Sequence, residues 1–261
     1  MLKLDISGQI ATLVISHAAR RNAMTRVMWQ ALPSVLAALS FDTRCLIIRG
    51  EGEHFCAGGD ISQYPSFRFE PSSLRAFHEG DVAPALEALL ALDIPIVAMI
   101  AGHCMGGGLE IASCADIRIA GQSANFGAPI AKLGMPMAQR ELAIVLHAAG
   151  EASVREMLLE AKILSAQEMK ARGFLQRIVA DEQLLQEGRE TAQRIAALSP
   201  QAARLNKQFL RQFSKKNRHV AGIKYAQSAT DLIASDSYAY AASAEHTEGI
   251  SAFLAKRTAQ F

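Results

Sequence analysis

One arrangement occurs twice in this sequence and limits what the chain can fold into. An apolar run at residues 45–49 enters Gly50-Glu51-Gly52-Glu53-His54-Phe55-Cys56-Ala57-Gly58-Gly59-Asp60, and a second at residues 94–100 enters Gly102-His103-Cys104-Met105-Gly106-Gly107-Gly108-Leu109-Glu110. Short apolar runs bounded by glycine read as buried strands. Glycines past a strand end let backbone amides approach a ligand closely, with no Cβ in the way. Two such amides converging on one point would stabilise charge developing on a carbonyl oxygen. The run 106–108 also opens a helix-compatible segment, whose positive end favours an anion. A single glycine-rich turn more often serves tight packing. The repetition, with a carboxylate close behind the second turn, points to chemistry.

Around this pair the chain alternates strands and helices. Strands are expected at residues 10–16, 45–49, 94–100, 115–120 and 176–179, and Lys3 and Asp5 sit in an alternating strand pattern near the start. Helices are expected at about 26–39, 74–92, 108–114 and 140–149. This order indicates an α/β fold with parallel pairing. Beyond about residue 198 no strand pattern follows. Ser199-Pro200 is a helix start, with Ser as cap and Pro at the first helical position. Ala203, Leu205, Phe209, Leu210 and Phe213 then recur at roughly helical spacing. Residues 1–198 are therefore expected to form the core and active site, and 199–261 a helical oligomerisation segment.

Composition removes several classes. Lys plus Arg total 27 against 25 for Asp plus Glu, a net charge of +2 that argues against affinity built on phosphate neutralisation by nucleic-acid binding. The longest apolar run, 94–101, is too short to span a bilayer, and no signal-peptide stretch opens the chain. Cys45, Cys56, Cys104 and Cys114 form no CxxC pair and no zinc-like spacing, so no metal site is expected. A cytoplasmic location fits these features. The glycine turns match neither GxGxxG, since Phe55 holds the required position, nor a P-loop, since Gly107 leads into Gly108 and Leu109. There is no GxSxG elbow.

Five segments are more specific: Arg21-Asn22-Ala23-Met24, Phe55-Cys56-Ala57-Gly58-Gly59-Asp60-Ile61, Met105-Gly106-Gly107-Gly108-Leu109-Glu110-Ile111-Ala112, Cys114-Ala115-Asp116-Ile117-Arg118-Ile119-Ala120 and Phe126-Gly127-Ala128-Pro129. In this order they resemble the crotonase (enoyl-CoA hydratase/isomerase) superfamily. The segment from Glu248 to Arg257 resembles that family's terminal helix. The resemblance implies a crotonase-like spiral of ββα units with a C-terminal helical trimerisation segment, assembled as a homotrimer or dimer of trimers. It implies an acyl-CoA thioester substrate of the kind met in fatty acid metabolism. No cofactor is implied beyond the coenzyme A of the substrate.

By motif position the resemblance puts the oxyanion-hole amides on Ala57 and Gly107, with Glu110 as the proton-transferring carboxylate. Coenzyme A would run past Arg21 and Ala23 and along Gly59, Asp60 and Ile61. Pro129, Ile130 and Leu133 would border the acyl group, and Phe253 and Lys256 would approach from the terminal helix, often a neighbouring subunit's. The family's second glutamate would follow Pro129, where this chain has Ile130. That departure puts efficient hydration by a glutamate pair in question.

Other side chains have plainer readings. Arg140 could bind a second carboxylate on the substrate, but a solvated helix start with Arg140 and Glu141 facing water is favoured. His78 reads as a surface residue of its helix, His103 and Cys104 as packing, and Trp29 as core with Met28 and Leu32. Asp60 reads as a turn cap and Asp116 as a stabiliser of a strand connection. The favoured function is an enoyl-CoA hydratase or isomerase type of enzyme, a lyase or isomerase acting through a thioester enolate. The alternatives are an acyl-CoA decarboxylase or hydrolase on the same fold, or an acyl-CoA-binding homologue with weak catalysis.

Overall fold

The computed structural model describes residues 1–218 and 238–261, with backbone alone for 213–218. Its larger sheet has the order β1-β2-β3-β4-β6-β9: β1 (Leu2–Ser7), β2 (Ile10–Ile15), β3 (Cys45–Gly50), β4 (Ile96–Ile100), β6 (Ile117–Gly121) and β9 (Arg177–Val179). β1 and β2 form an antiparallel hairpin, and every later pairing is parallel. β5 (His103–Met105), β7 (Asn125–Gly127) and β8 (Leu164–Ser165) make a second, smaller sheet. The expected strands are present, with ends that differ by a residue or two. β5, β7 and β8, at two or three residues each, are too short to leave a periodic signal.

Successive strand residues point to opposite faces, and both faces of the larger sheet are covered. Leu46 and Ile48 join the main core with Ile96, Ala98 and Ile100. Cys45, Ile47, Val97 and Met99 pack on the other side against Leu184 and Ala192 of α8 (Leu184–Ala196). Two-sided burial explains why these strands are apolar throughout rather than alternating. At Gly188, α8 comes so close to β4 that a Cβ would lie 2.3 Å from the Met99 sulfur.

α1 (Arg26–Ala37) starts at its Thr25 cap and buries Met28, Trp29, Leu32 and Leu36. The helix expected at 74–92 is real but not uniform. α2 (Pro71–Phe77) and α3 (Ala83–Ala91) are joined by a π-helical turn, His78–Val82. Such a turn re-aims side chains and is frequent at functional sites. α4 (Gly107–Ser113) and α5 (Gln139–Ala149) sit where the pattern placed them, while α6 (Glu151–Leu159), α7 (Ala166–Ala171) and α8 carry no equally plain signal.

Past residue 198, α9 (Pro200–Arg218) is tied back to the body. The buried Lys207 ammonium bonds the Ile94 carbonyl (2.7 Å) and Asp116 (2.8 Å), and Arg211 reaches the carbonyls of Leu90 and Ala91. Asp116 also accepts from the Ile96 amide at 2.7 Å, the connection-stabilising role expected of it. α10 (Ala244–Leu254) leaves Phe253, Leu254 and Ile250 exposed. Phe213 is described only by its backbone, and the stretch 219–237 lies outside the described residues. Among the described residues no helix is long and apolar enough to cross a membrane.

Arg118 is a buried charge that closes the core end of α4. Its guanidinium donates to Ala115 O and Phe174 O, each at 2.6 Å, and lies 4.7 Å from the centre of the Phe174 ring. Replacing it with Met strands those carbonyls in an apolar interior. Arg118→Met is expected to lower unfolding free energy by about 3 kcal/mol, read as a fall in the urea midpoint with an unchanged m-value.

Candidate active site

The two glycine turns lie side by side. Cys56 N donates to His103 O and Met105 N to Cys56 O, both at 2.9 Å, a short parallel bridge between the turns. Glycine is required at the contact: a Cβ on Gly108 would lie 2.4 Å from Cys56 O, and Gly58 holds φ +105°, a conformation side chains disfavour. Asn22, buried and with φ 61°, stitches the first turn in place. Its side-chain amide donates to the carbonyls of Glu51 (2.8 Å) and His54 (2.7 Å), and its oxygen accepts from His17 N. The Arg21–Met24 segment therefore shapes the turn as well as bordering it.

These contacts correct the expected first donor. The Ala57 N–H is taken by Arg21 O at 3.0 Å, so it is not free to face a ligand. The next peptide but one behaves differently. Gly58 O accepts from Met24 N at 2.7 Å, and in a trans peptide the following N–H points the opposite way. The Gly59 N–H thus faces away from Met24, and among the described residues it has no acceptor. The Gly107 N–H, at the first turn of α4, likewise has none. A Cβ built on Gly107 would lie 3.7 Å from Gly58 C, so the turns converge as expected, through Gly59 rather than Ala57.

Both glycines line a cavity of about 340 Å³, a size that suits a small ligand. Arg21, Ile61, Pro129, Ile130 and Leu133 line it too, as expected. Ala23 is buried beside the turn without lining the cavity, and the Asp60 carboxylate caps the following helical turn through Ser62 N and Oγ. Phe253 and Lys256 stand on the surface, away from the cavity of their own chain. Trp29 is core, as expected, and also forms the wall behind Gly107, where a Cβ would sit 2.8 Å from the indole. Cys104 is fully buried, and His103 stacks on His54 at 4.5 Å.

Glu110 lines the same cavity, one helical turn from the Gly107 amide. Burial pushes its carboxyl up to about 8, the nearby Glu141 adds to the rise, and Arg68 opposes it. All four cysteines are buried, and burial lifts Cys56 to about 12, so it carries no nucleophilic role. Among the described residues no three His, Cys, Asp or Glu side chains come together in a way that could hold a metal ion.

Two side chains depart from their expected surface positions. Glu141 is only 2% exposed, with Oε1 3.0 Å from His78 Nδ1 and Oε2 buried with no hydrogen-bond partner among the described residues. His78 lines the cavity, turned inward by the π-helical turn. Their signal was present but ambiguous, since one helical period places a residue on either face depending on where the helix is irregular. Arg140, by contrast, is solvated and pairs with Glu79 and Glu87. Arg68 was not singled out in the sequence, yet it lines the cavity together with Tyr64, its guanidinium 4.3 Å over the Tyr64 ring. Burial holds the Tyr64 phenol above its usual value, hence neutral.

The enoyl-CoA hydratase/isomerase family model matches residues 5–261. A solved enoyl-CoA hydratase/carnithine racemase from Magnetospirillum magneticum is similar at TM-score 0.91 and 33% identity, over 100% of this chain and 94% of that one. The 2,3-dehydroadipyl-CoA hydratase of Escherichia coli (strain K12) is 29% identical over 100% of this chain and 99% of its own length. The crotonyl-CoA hydratase of Syntrophomonas wolfei subsp. wolfei is 29% identical over 99% and 96%. With a family match of that extent and a crotonase fold of that similarity, the chain belongs to the enoyl-CoA hydratase/isomerase family and is an acyl-CoA enzyme of that type.

Proposed function

We propose that the chain hydrates a 2-enoyl-CoA, with the thioester oxygen held by the N–H groups of Gly59 and Gly107 and a single carboxylate, Glu110, moving the proton. The observation that carries this is the convergence of two unpartnered amides beside Glu110 in one cavity. Ionised Glu110 takes a proton from water as the water oxygen bonds to the β-carbon. The double-bond electrons move toward the thioester oxygen, where the two amides stabilise the enolate; one such donor contributes about 3–4 kcal/mol to the transition state. Protonated Glu110 then returns its proton to the α-carbon. Ile130, half-buried at the cavity wall, supplies no proton, so one carboxyl acts first as base and then as acid.

The coenzyme A portion enters past Arg21 at the cavity rim, and no further cofactor takes part. Residues 1–198 act as the substrate-binding core and 199–261 as the assembly segment of a homotrimer or dimer of trimers. The exposed Phe253, Leu254 and Ile250 on α10 support that reading.

Glu110→Gln should retain acyl-CoA binding and lose about 10²–10⁴-fold in crotonyl-CoA hydration, followed by loss of the enoyl thioester absorbance. Full activity in that variant removes Glu110 from the mechanism. Malonyl-CoA turnover in place of crotonyl-CoA turnover selects decarboxylation instead.

The pH dependence follows from the raised carboxyl. With its value at about 8, Glu110 is mostly protonated at neutral pH, and the active, ionised form grows as pH rises. For hydration, kcat/KM should therefore climb about tenfold per pH unit below 8 and level off above it. A flat profile between pH 6 and 9 contradicts this. Glu141→Gln removes a like charge, making Glu110 easier to ionise, and should move the rising limb to lower pH. Since burial is the larger cause, only part of the shift should disappear.

A further inference from the structure

Arg68 is a cation lining the cavity to which, among the described residues, the fold offers no counter-ion in contact. Its guanidinium carries five N–H groups. One, on Nε, meets the Met135 sulfur at 3.1 Å, a weak acceptor, and one on Nη1 meets His78 Nε2 at 3.2 Å. Among the described residues the other three find no acceptor, and no carboxylate oxygen lies within ion-pair range. The rest of its surroundings are aromatic: Tyr64 at 4.3 Å and Phe77 at 6.0 Å from ring centre to guanidinium carbon.

The group is also held in place from behind. His78 Nδ1 faces the buried Glu141 carboxylate at 3.0 Å, which assigns the proton to Nδ1 and leaves Nε2 as the acceptor for Arg68. Burying Glu141 costs free energy that packing alone does not require. What the chain Glu141–His78–Arg68 achieves is a guanidinium held through Nη1, with three N–H groups unpaired among the described residues on a side chain that lines the cavity. A planar fork of donors of this kind matches a carboxylate in two-point geometry. Arg140, the arginine whose position in the sequence suggested this role, is occupied at the surface by Glu79 and Glu87.

We propose that Arg68 binds a second carboxylate carried by the acyl group, so that the enzyme prefers CoA thioesters of dicarboxylic acids over neutral acyl chains. This rests on the proposed function only for placing the thioester at Gly59 and Gly107. His78 and Glu141 are positioning residues for Arg68.

The test is calorimetric binding of unreactive saturated thioesters, adipyl-CoA against hexanoyl-CoA and glutaryl-CoA against butyryl-CoA. Wild-type protein is expected to bind at least one dicarboxylic member about ten- to a hundredfold more tightly than its neutral partner. Arg68→Met should abolish that ratio, Arg68→Lys should retain part of it, and His78→Phe should reduce it. A wild-type preference for the neutral thioesters, or a ratio unaltered in Arg68→Met, overturns the proposal. Because these ligands do not react, the result stands apart from hydration. Glu110→Gln that keeps the adipyl-CoA preference while hydration by the wild type proves absent overturns the proposed function and leaves this inference intact.

Discussion

Everything at this site depends on one short bridge, the pair of hydrogen bonds that lays Cys56 against His103 and Met105. It joins two turns that leave different strands, β3 and β4, nearly fifty residues apart in sequence, and brings their glycines within van der Waals contact. Parallel strands deliver both turns to the same edge of the sheet, and the bridge fixes their separation. Glycine at positions 107 and 108 is then a steric necessity, since side chains would collide with Trp29 and Cys56, and Gly58 holds a positive φ that side chains disfavour. The same backbone accounting that closes the bridge selects the free donors. In the first turn the Ala57 and Asp60 N–H groups are bonded to the Arg21 and Met24 carbonyls, while the Gly59 amide, set opposite a bonded carbonyl, finds no acceptor among the described residues.

That accounting explains how the sequence could indicate that the two turns converge while choosing, in Ala57, an N–H that is already bonded. Glycine spacing shows that a turn exists and where it lies, but not which peptide plane is turned toward solvent. Only the partners of Ala57 and Gly58, which are Arg21 and Met24, decide that. The large parallel strands were legible because burial on both faces makes them uniformly apolar. Glu110 was legible because it sits at a fixed offset from Gly107 within one helical turn.

What was not legible depends on irregular geometry. An ideal helix through residues 74–92 would not predict the inward turn of His78; the π-helical turn rotates it toward the cavity. Glu141 then has an imidazole to meet, and a residue that would face water at an ordinary helix start becomes buried. Arg68 lies on the loop after a 3-10 turn, where neither the period of a helix nor that of a strand constrains its direction. The three residues become meaningful only together, and no local pattern joins them.

The electrostatics of the cavity follow from this assembly. Ile130 gives the cavity that Glu110 lines an apolar wall, and Glu141 places a negative charge at a distance, outside the cavity lining. A carboxylate in direct contact could exchange protons with substrate; one behind His78 can act only through its field. It raises Glu110 toward the range in which one carboxyl can both accept and return a proton. Arg68 opposes that rise from the cavity side. Neutralising Arg68 with a bound anionic group would therefore shift Glu110 further toward its protonated form, coupling the occupant of the cavity to the ionisation of Glu110. The sign of that coupling is set by charge alone, because the groups involved interact without touching.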